Sequence, residues 1–306
     1  LNTMMIRNYI TVASRNIARK KLYSFINAFG LSIAIAFSVL IYLFIIDEQS
    51  FDLFHQDAGR VLMITEKSFS RNAFEQGEKE PYHHSAYLPA KLAEVLQDEA
   101  AEVAAVTRFR EGEGIVHYQQ QIFKQKVFYV DSGFFDVFTF RILRGSASGI
   151  FRNQNEALLT KEVAQKLFGD QDPIGKTFTF DADSKSLLTV TAIIETPPAN
   201  SSINFQMLLP ISRKPYFQRD RENWGSFSYP TFVRLHPSAG IASFQTNLQA
   251  LTRKYMADRL TQWRERENIP AAFTVVDFGP VRLPDVHLNT RVAWERSSDP
   301  DYSIIL

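Results

Sequence analysis

From Phe25 to Ile46 the chain reads FINAFGLSIAIAFSVLIYLFII, 22 positions without a charged residue. As a helix rising 1.5 Å per residue this run is about 33 Å long, close to the hydrocarbon thickness of a bilayer. It predicts one membrane-spanning helix. A cleaved signal peptide has a shorter apolar core and small residues at its cut. Here DEQSFDLF follows, with no A-x-A-like site, so an uncleaved anchor is expected. Ahead of the run, Ile6, Ile10, Ala13 and Ile17 recur at helical spacing, with Arg7, Arg15 and Arg19 elsewhere around the wheel. That pattern predicts a short amphipathic helix along the cytoplasmic lipid surface. Behind the run, Phe51, Phe54 and Ala58 stand at i, i+3 and i+7. They predict that the spanning helix continues outward as a stalk before Gly59.

The rest of the chain has no second apolar run long enough to span, and its pattern changes. Two stretches read strand–helix–strand. The first has a strand in RVLMITEKSF, a linker with GEKEPYHH, a helix in SAYLPAKLAEVLQD and a strand near VAAVTRFRE. The second has a strand in YPTFVRLH, a long helix through AGIASFQTNLQALTRKYMADRLTQW and a strand in AAFTVVDFGPVRL. Two such units side by side give a sheet with helices on one face, the split βαβ plan. Between them IVHYQQQIFKQKVFYVD, FFDVFTFRIL, KTFTF and LLTVTAII are strand candidates, with one helix at TKEVAQKLFG. The expected fold class is α+β. The expected organisation is a basic amphipathic segment at 1–24, a transmembrane helix at 25–46, and a stalk with the first βαβ unit at 47–110. A strand-rich inserted lobe follows at 111–226, and a second βαβ unit at 227–306.

Charge gives the anchor a direction. The chain carries +1 in all, but residues 1–46 hold Arg7, Arg15, Arg19, Lys20 and Lys21 and no acid. Asp47 and Glu48 follow the apolar run. The positive-inside rule then places the N-terminus in the cytoplasm and residues 47–306 outside. A basic cluster confined to one end, beside a membrane helix, argues against nucleic acid as a partner. The absence of cysteine excludes disulfides and thiolate chemistry.

Candidate chemistry is sparse. KLFGDQDPIGKT, residues 166–177, approaches a phosphate-binding loop, but five residues rather than four separate Gly169 from Gly175. Pro173 removes a backbone donor, and the helix precedes the loop instead of following it. Lys176 is therefore expected in a turn built on Asp172 and Pro173. The histidines His55, His83, His84, His117, His236 and His287 form no H-E-x-x-H pattern. Asp170 with Asp172, and Asp181 with Asp183, fail the calcium-loop template, with Ile174 and Ala192 at ligand positions. No G-x-S-x-G elbow appears; NWGSFS and ANSSINF do not fit it. No catalytic, cofactor-binding or metal residue is nominated, and no cofactor is expected.

The order of segments resembles the MacB/FtsX-type ABC transporter permeases, especially the form found in Bacteroidetes-like bacteria. RNIARKKLYSFINAFGLSIAIAFSVLIYLFI resembles their first helix and span. DEQSFDLFHQDAGRVLMIT resembles the segment just outside, where the family's usual ending is closer to RIYRV. VDSGFFDVFTFRILRG, EALLTKEVAQKLFGDQDPIGKTFTF and LTVTAIIETPPANSSINFQMLLPI resemble the periplasmic core domain, and WGSFSYPTFVRL and LPDVHLNT its closing part. The resemblance implies an outer region made of a porter-like pair of βαβ units with an inserted sabre-like lobe, in the bacterial inner (cytoplasmic) membrane. It implies a dimer with a second permease subunit, four spans per subunit, and ATP hydrolysis by a separate cytoplasmic ABC ATPase subunit rather than by this chain. Periplasmic or outer-membrane components are further implied partners. The implied activity is mechanotransmission in export or efflux. Against that pattern the chain corresponds to the N-terminal portion, with DYSIIL about where a second span begins. The competing expectation is a membrane-anchored extracytoplasmic domain that senses a ligand. An anchored hydrolase is disfavoured because no nucleophile–base pair stands out.

Overall fold

The structure is a computed structural model describing residues 2–145, 151–182, 185–289 and 292. It divides into two units, Leu1–Ser50 and Phe51–Leu306. The first is helical. Helix α1 covers Asn2–Arg19 and α2 covers Lys21–Gln49. No residue of α2 is buried, and among the described residues it is the one helix long and apolar enough to cross a membrane. Two of its polar side chains bond within the helix. The Ser32 and Ser38 hydroxyls donate to the Ala28 and Ala34 carbonyls at 2.7 and 2.9 Å.

The predicted stalk does not form. α2 ends at Gln49, and Asp52 and Asp57 take φ of 59° and 61°, a left-handed conformation no continuous α-helix contains. Phe51 and Phe54 are instead used as ring contacts within the outer unit, where their helical spacing has no role.

In chain order the outer unit contains the strands and helices β1 (Val61–Phe69), α3 (Arg71–Glu75), β2 (Tyr82–Ser85), β3 (Tyr87–Pro89), α4 (Lys91–Glu99), β4 (Val103–Tyr118), β5 (Gln121–Val130), α5 (Phe134–Val137), β6 (Ile142–Gly145), β7 (Glu156–Thr160), α6 (Lys161–Phe168), β8 (Thr177–Asp181), β9 (Lys185–Ile194), β10 (Met207–Pro210), α7 (Phe217–Asp220), β11 (Phe227–Leu235), α8 (Ile241–Arg266), β12 (Val276–Arg282) and α9 (Leu283–Val286). The sheet runs β12-β1-β11-β4-β5-β10-β7-β9-β6, with β2 on β1, β3 on β11, and β8 between β4 and β9.

In the order β12, β1, β11, β4 each strand is antiparallel to its neighbour. Alternate residues of a strand face opposite sides, and β1 is buried on both, which is why it opens with four consecutive apolar residues. Leu62 and Ile64 pack with Val233 and Phe278 against Leu92 and Leu96 of α4 and Phe244 and Leu248 of α8. Val61 and Met63 face a second core dominated by Phe109, Phe128, Phe134, Phe138, Phe140, Phe205 and Phe232. Strand β4 changes partner along its length: Val103–Arg108 pair with β11, and Phe109–Tyr118 pair with β5. Beyond that point the pairing is mixed, with β10 parallel to β5 and β7 parallel to β9. A third core forms there, where Val163, Leu167 and Phe168 of α6 meet Val116, Phe178, Phe180 and Leu188.

Two predicted elements differ. The helix read from SAYLPAKLAEVLQD begins only at Lys91; Tyr87–Pro89 is a strand on β11. Pro89 has no N–H and disfavours helical backbone at Leu88. The strand read from FFDVFTFRIL opens as the short helix α5, because Phe134, Val137 and Phe138, all fully buried, need the one face that i, i+3, i+4 spacing supplies. Only Ile142–Gly145 at its end joins the sheet.

Candidate functional site

Three arrangements tie the beginning of the outer unit to its last described element and to its middle. In the first, the ring of Phe51 lies parallel to that of His287, with centroids 3.4 Å apart and planes 2° from coplanar. His287 follows α9, which rests against the turn at Ala58–Arg60 and buries Leu283 and Val286 in the phenylalanine core. The first and last described segments of the outer unit therefore meet side by side.

In the second, Asp52 and His55 key the leading segment into the core. The Asp52 N–H donates to the Asn200 carbonyl at 2.9 Å. Its fully buried carboxylate accepts from the Ser202 N–H at 2.9 Å and the Ser201 hydroxyl at 3.4 Å. Burial pushes the Asp52 carboxyl above the ordinary range, partly offset by hydrogen bonds from Ser202 and Ser201 and by the His287 charge. His55 is buried among Phe54, Phe138 and Phe140. The Thr139 N–H donates to its Nδ1 at 3.2 Å, which puts the proton of the neutral ring on Nε2. Burial lowers its pKa to about 4, so the ring is neutral at physiological pH.

In the third, Arg108 occupies the point where β4 changes partner. The residue is 4% exposed. It pairs with Glu94 of α4 at 2.8 Å and with Asp131, just past β5, at 3.0 Å, and it donates to the Ala90 carbonyl. The Phe217 ring of α7 lies 4.8 Å from it, and Arg221 reaches Glu94 at 3.1 Å. One side chain thus joins the helix layer of the four-stranded part to the strand-rich part.

These groups hold segments together; none is paired as a nucleophile with a base. Lys176 lies in a turn, its ammonium donating to Gln171 and sitting 5.3 Å from the Phe168 ring. The backbone N–H groups that a phosphate would need are committed: Ile174 to Asp172 at 3.1 Å, Gly175 to the Val190 carbonyl at 2.8 Å, and Lys176 to the Pro173 carbonyl at 3.1 Å. Asp172 also pairs with Arg144 at 2.7 Å, and Asp170 accepts from Gln165 at 3.4 Å. His83 and His84 are neighbours on β2, His117 lies on β4, and His236 follows β11. Among the described residues no group of three His, Asp or Glu is placed to hold a metal ion. Asp181 is on β8, whereas Asp183, Thr290 and DYSIIL lie outside the described residues. Sequence reasoning missed Asp52, His55, Arg108 and the Phe51–His287 pair. Each is an ordinary residue in one sequence, and its partner is distant in the chain.

Residues 24–251 match the family described as the MacB-like periplasmic core domain. Among solved structures, a domain of a protein assigned as a permease from Porphyromonas gingivalis is 23% identical, covering 74% of this chain and 90% of that one with a TM-score of 0.60. The periplasmic region of MacB from Actinobacillus actinomycetemcomitans is 14% identical, covering 70% and 95% with a TM-score of 0.47. The extracellular domain of the noncanonic ABC-type transporter YknZ from Gram-positive bacteria is 13% identical, covering 72% and 99% with a TM-score of 0.47. A search of curated proteins gave no significant match.

Proposed function

Because the chain belongs to the MacB-like periplasmic core domain family, the periplasmic part of ABC-type transporter permeases, we propose that it is a permease subunit whose outer unit is moved by a separate ATPase. In this reading α2 anchors the chain in the inner membrane with the N-terminus in the cytoplasm. Phe51–Leu306 is periplasmic and comprises a porter-like pair of βαβ units and a sabre-like lobe. Two such subunits assemble with cytoplasmic ABC ATPase subunits, and ATP hydrolysis there changes the shape of the periplasmic part.

The observation that carries the reading is the meeting of the outer unit's first and last described segments at Phe51 and His287. A device driven through its membrane spans needs its two connections held as one rigid base, so that displacement there turns the body rather than stretching a loop. The Asp52–Ser202 and His55–Thr139 bonds stiffen that base, and Arg108 carries the motion into the strand-rich part.

The test uses the complex isolated from membranes of the native host in mild detergent. A cytoplasmic ABC ATPase should copurify, and distances between spin labels on the two outer units should change when ATP is added with vanadate. A chain that purifies without an ATPase, and whose label distances ignore nucleotide, would end this reading.

A further inference from the structure

The bend between α1 and α2 lies outside the family match, which begins at residue 24. α1 ends at Arg19, α2 begins at Lys21, and Lys20 between them breaks the helix with φ −108° and ψ 56°. Three consecutive cations therefore crowd one bend, all exposed. With Leu22 and Tyr23 they line a shallow, open patch of surface. No acid lies on this side of the helix to neutralise them: the first acidic residue in the chain is Asp47, near the far end of α2. An anion arriving at the bend would therefore meet no competing acid within residues 1–46.

The surface that continues from the bend says what brings it. Leu22, Phe25, Ile26 and Phe29 stand at i, i+3, i+4 and i+7 on α2, a single stripe. They form one apolar face directly beside the bend, and the Phe25 and Phe29 rings stack at 5.8 Å. A small inorganic anion would satisfy the cations and leave this stripe untouched. A molecule with a phosphate at one end and hydrocarbon at the other matches both. Arg and Lys beside one another supply bidentate and point-charge contacts to a phosphodiester. A net anionic headgroup is favoured over a zwitterionic one, because the latter returns a cation to a site already crowded with three.

We infer that the bend at Arg19, Lys20 and Lys21 binds the headgroup phosphate of an anionic phospholipid, with an acyl chain along the stripe from Leu22 to Phe29. This rests on the membrane anchoring of α2 but not on coupling to an ATPase. Three cations near the membrane surface correspond to about a hundredfold preference for anionic over zwitterionic lipid.

The test is native mass spectrometry of the full chain in neutral detergent, titrated separately with phosphatidylglycerol, phosphatidylcholine and inorganic phosphate. Phosphatidylglycerol should be retained and phosphatidylcholine should not. The triple variant Arg19→Gln/Lys20→Gln/Lys21→Gln should lose the retained lipid at least tenfold. The double variant Arg7→Gln/Arg15→Gln, which removes two cations away from the bend, should keep it. Far-UV circular dichroism on both variants checks that the helices persist. Equal retention of phosphatidylcholine, lipid kept by the triple variant, or inorganic phosphate bound as tightly as the lipid would each overturn the assignment. Alkaline extraction of membranes separates the two levels. Release of the chain would remove the anchor and this site together. A chain that stays in the membrane fraction but shows no lipid preference loses only the site.

Discussion

The Phe51 ring covers the His287 ring face to face at 3.4 Å, although the two residues stand near opposite ends of the outer unit's sequence. Such ring pairs contribute about 0.5–1.5 kcal/mol beyond the area they bury. Phe51→Ala should therefore cost little global stability and act locally. Amide exchange at Leu283–Leu288 should accelerate, while exchange in β1 and β11 stays slow. Phe51→Trp, which keeps a ring on the imidazole, should restore protection. Unchanged exchange at Leu283–Leu288 in Phe51→Ala would mean that the ring pair does not tie the two segments.

His55 gives the outer unit a defined response to acid. Its pKa is lowered to about 4 in the folded chain, against an ordinary value of 6.5. The unfolded chain therefore takes up a proton first as pH falls. The stability from keeping His55 neutral is fully present above pH 6.5 and is lost as pH falls toward about 4, amounting to about 3 kcal/mol at most. Asp52 and Glu66 act in the other direction, since burial raises both carboxyls and their folded forms gain protons first. Melting temperature measured from pH 7.5 to 4.5 should fall less steeply in His55→Phe than in the unmodified chain. That variant should also be somewhat less stable at pH 7.5, where the Thr139 N–H loses its acceptor. Parallel curves for the two proteins would show that His55 does not titrate as its burial requires.

Arg108 tests whether the two parts of the outer unit are held by one side chain. Breaking a buried ion pair from one side leaves charge uncompensated, at a cost of about 3–5 kcal/mol. Arg108→Leu strands Asp131 and leaves Glu94 with Arg221 alone, and should fall in that range by urea denaturation of the full chain in detergent. Arg108→Leu combined with Glu94→Gln and Asp131→Asn removes the stranded charges and should recover part of the loss. If the triple variant is no more stable than the single one, the damage comes from lost packing on Phe217 and not from charge.

What the sequence made legible follows from how local each signal is. The apolar helix α2 and helix α6 are specified by their own residues: a long uncharged run, and Thr160 and Gly169 as caps around an amphipathic stretch. The Thr160 hydroxyl accepts from the Val163 N–H at 3.4 Å, and Gly169 closes the helix at φ 59°. The stalk misread had a local pattern too, with Phe51, Phe54 and Ala58 at helical spacing. The deciding partners of that segment, Ser202, Thr139 and His287, lie far along the chain, and no periodicity encodes them. α5 failed for a different reason: alternating aromatics suit a strand as well as a helix until one knows that both Phe134 and Phe138 must enter one core. The ties at Asp52, His55 and Arg108 were invisible because each depends on burial, which a single sequence does not display for an ionisable residue.

Gly114 offers the most local of these tests. It lies on β4 opposite Gln125, where β8 also approaches. A Cβ placed there would sit 2.2 Å from Cζ of Phe180 and 2.9 Å from the Asp181 carbonyl oxygen. Phe180 is 1% exposed and packed in the third core, so its ring has little room to yield. Gly114→Ala should destabilise the chain by about 1–3 kcal/mol, the range for overpacking a filled interior. Gly59→Ala, where an added Cβ would meet nothing within 4 Å, is the control and should be nearly neutral. The double variant Gly114→Ala/Phe180→Leu separates ring collision from backbone effects. If the ring is the obstacle, the two substitutions together cost less than their separate effects added, because the smaller side chain makes room for the methyl group. Strict additivity would place the clash at the Asp181 carbonyl, and β8 would then have to move away from β4 to admit the alanine.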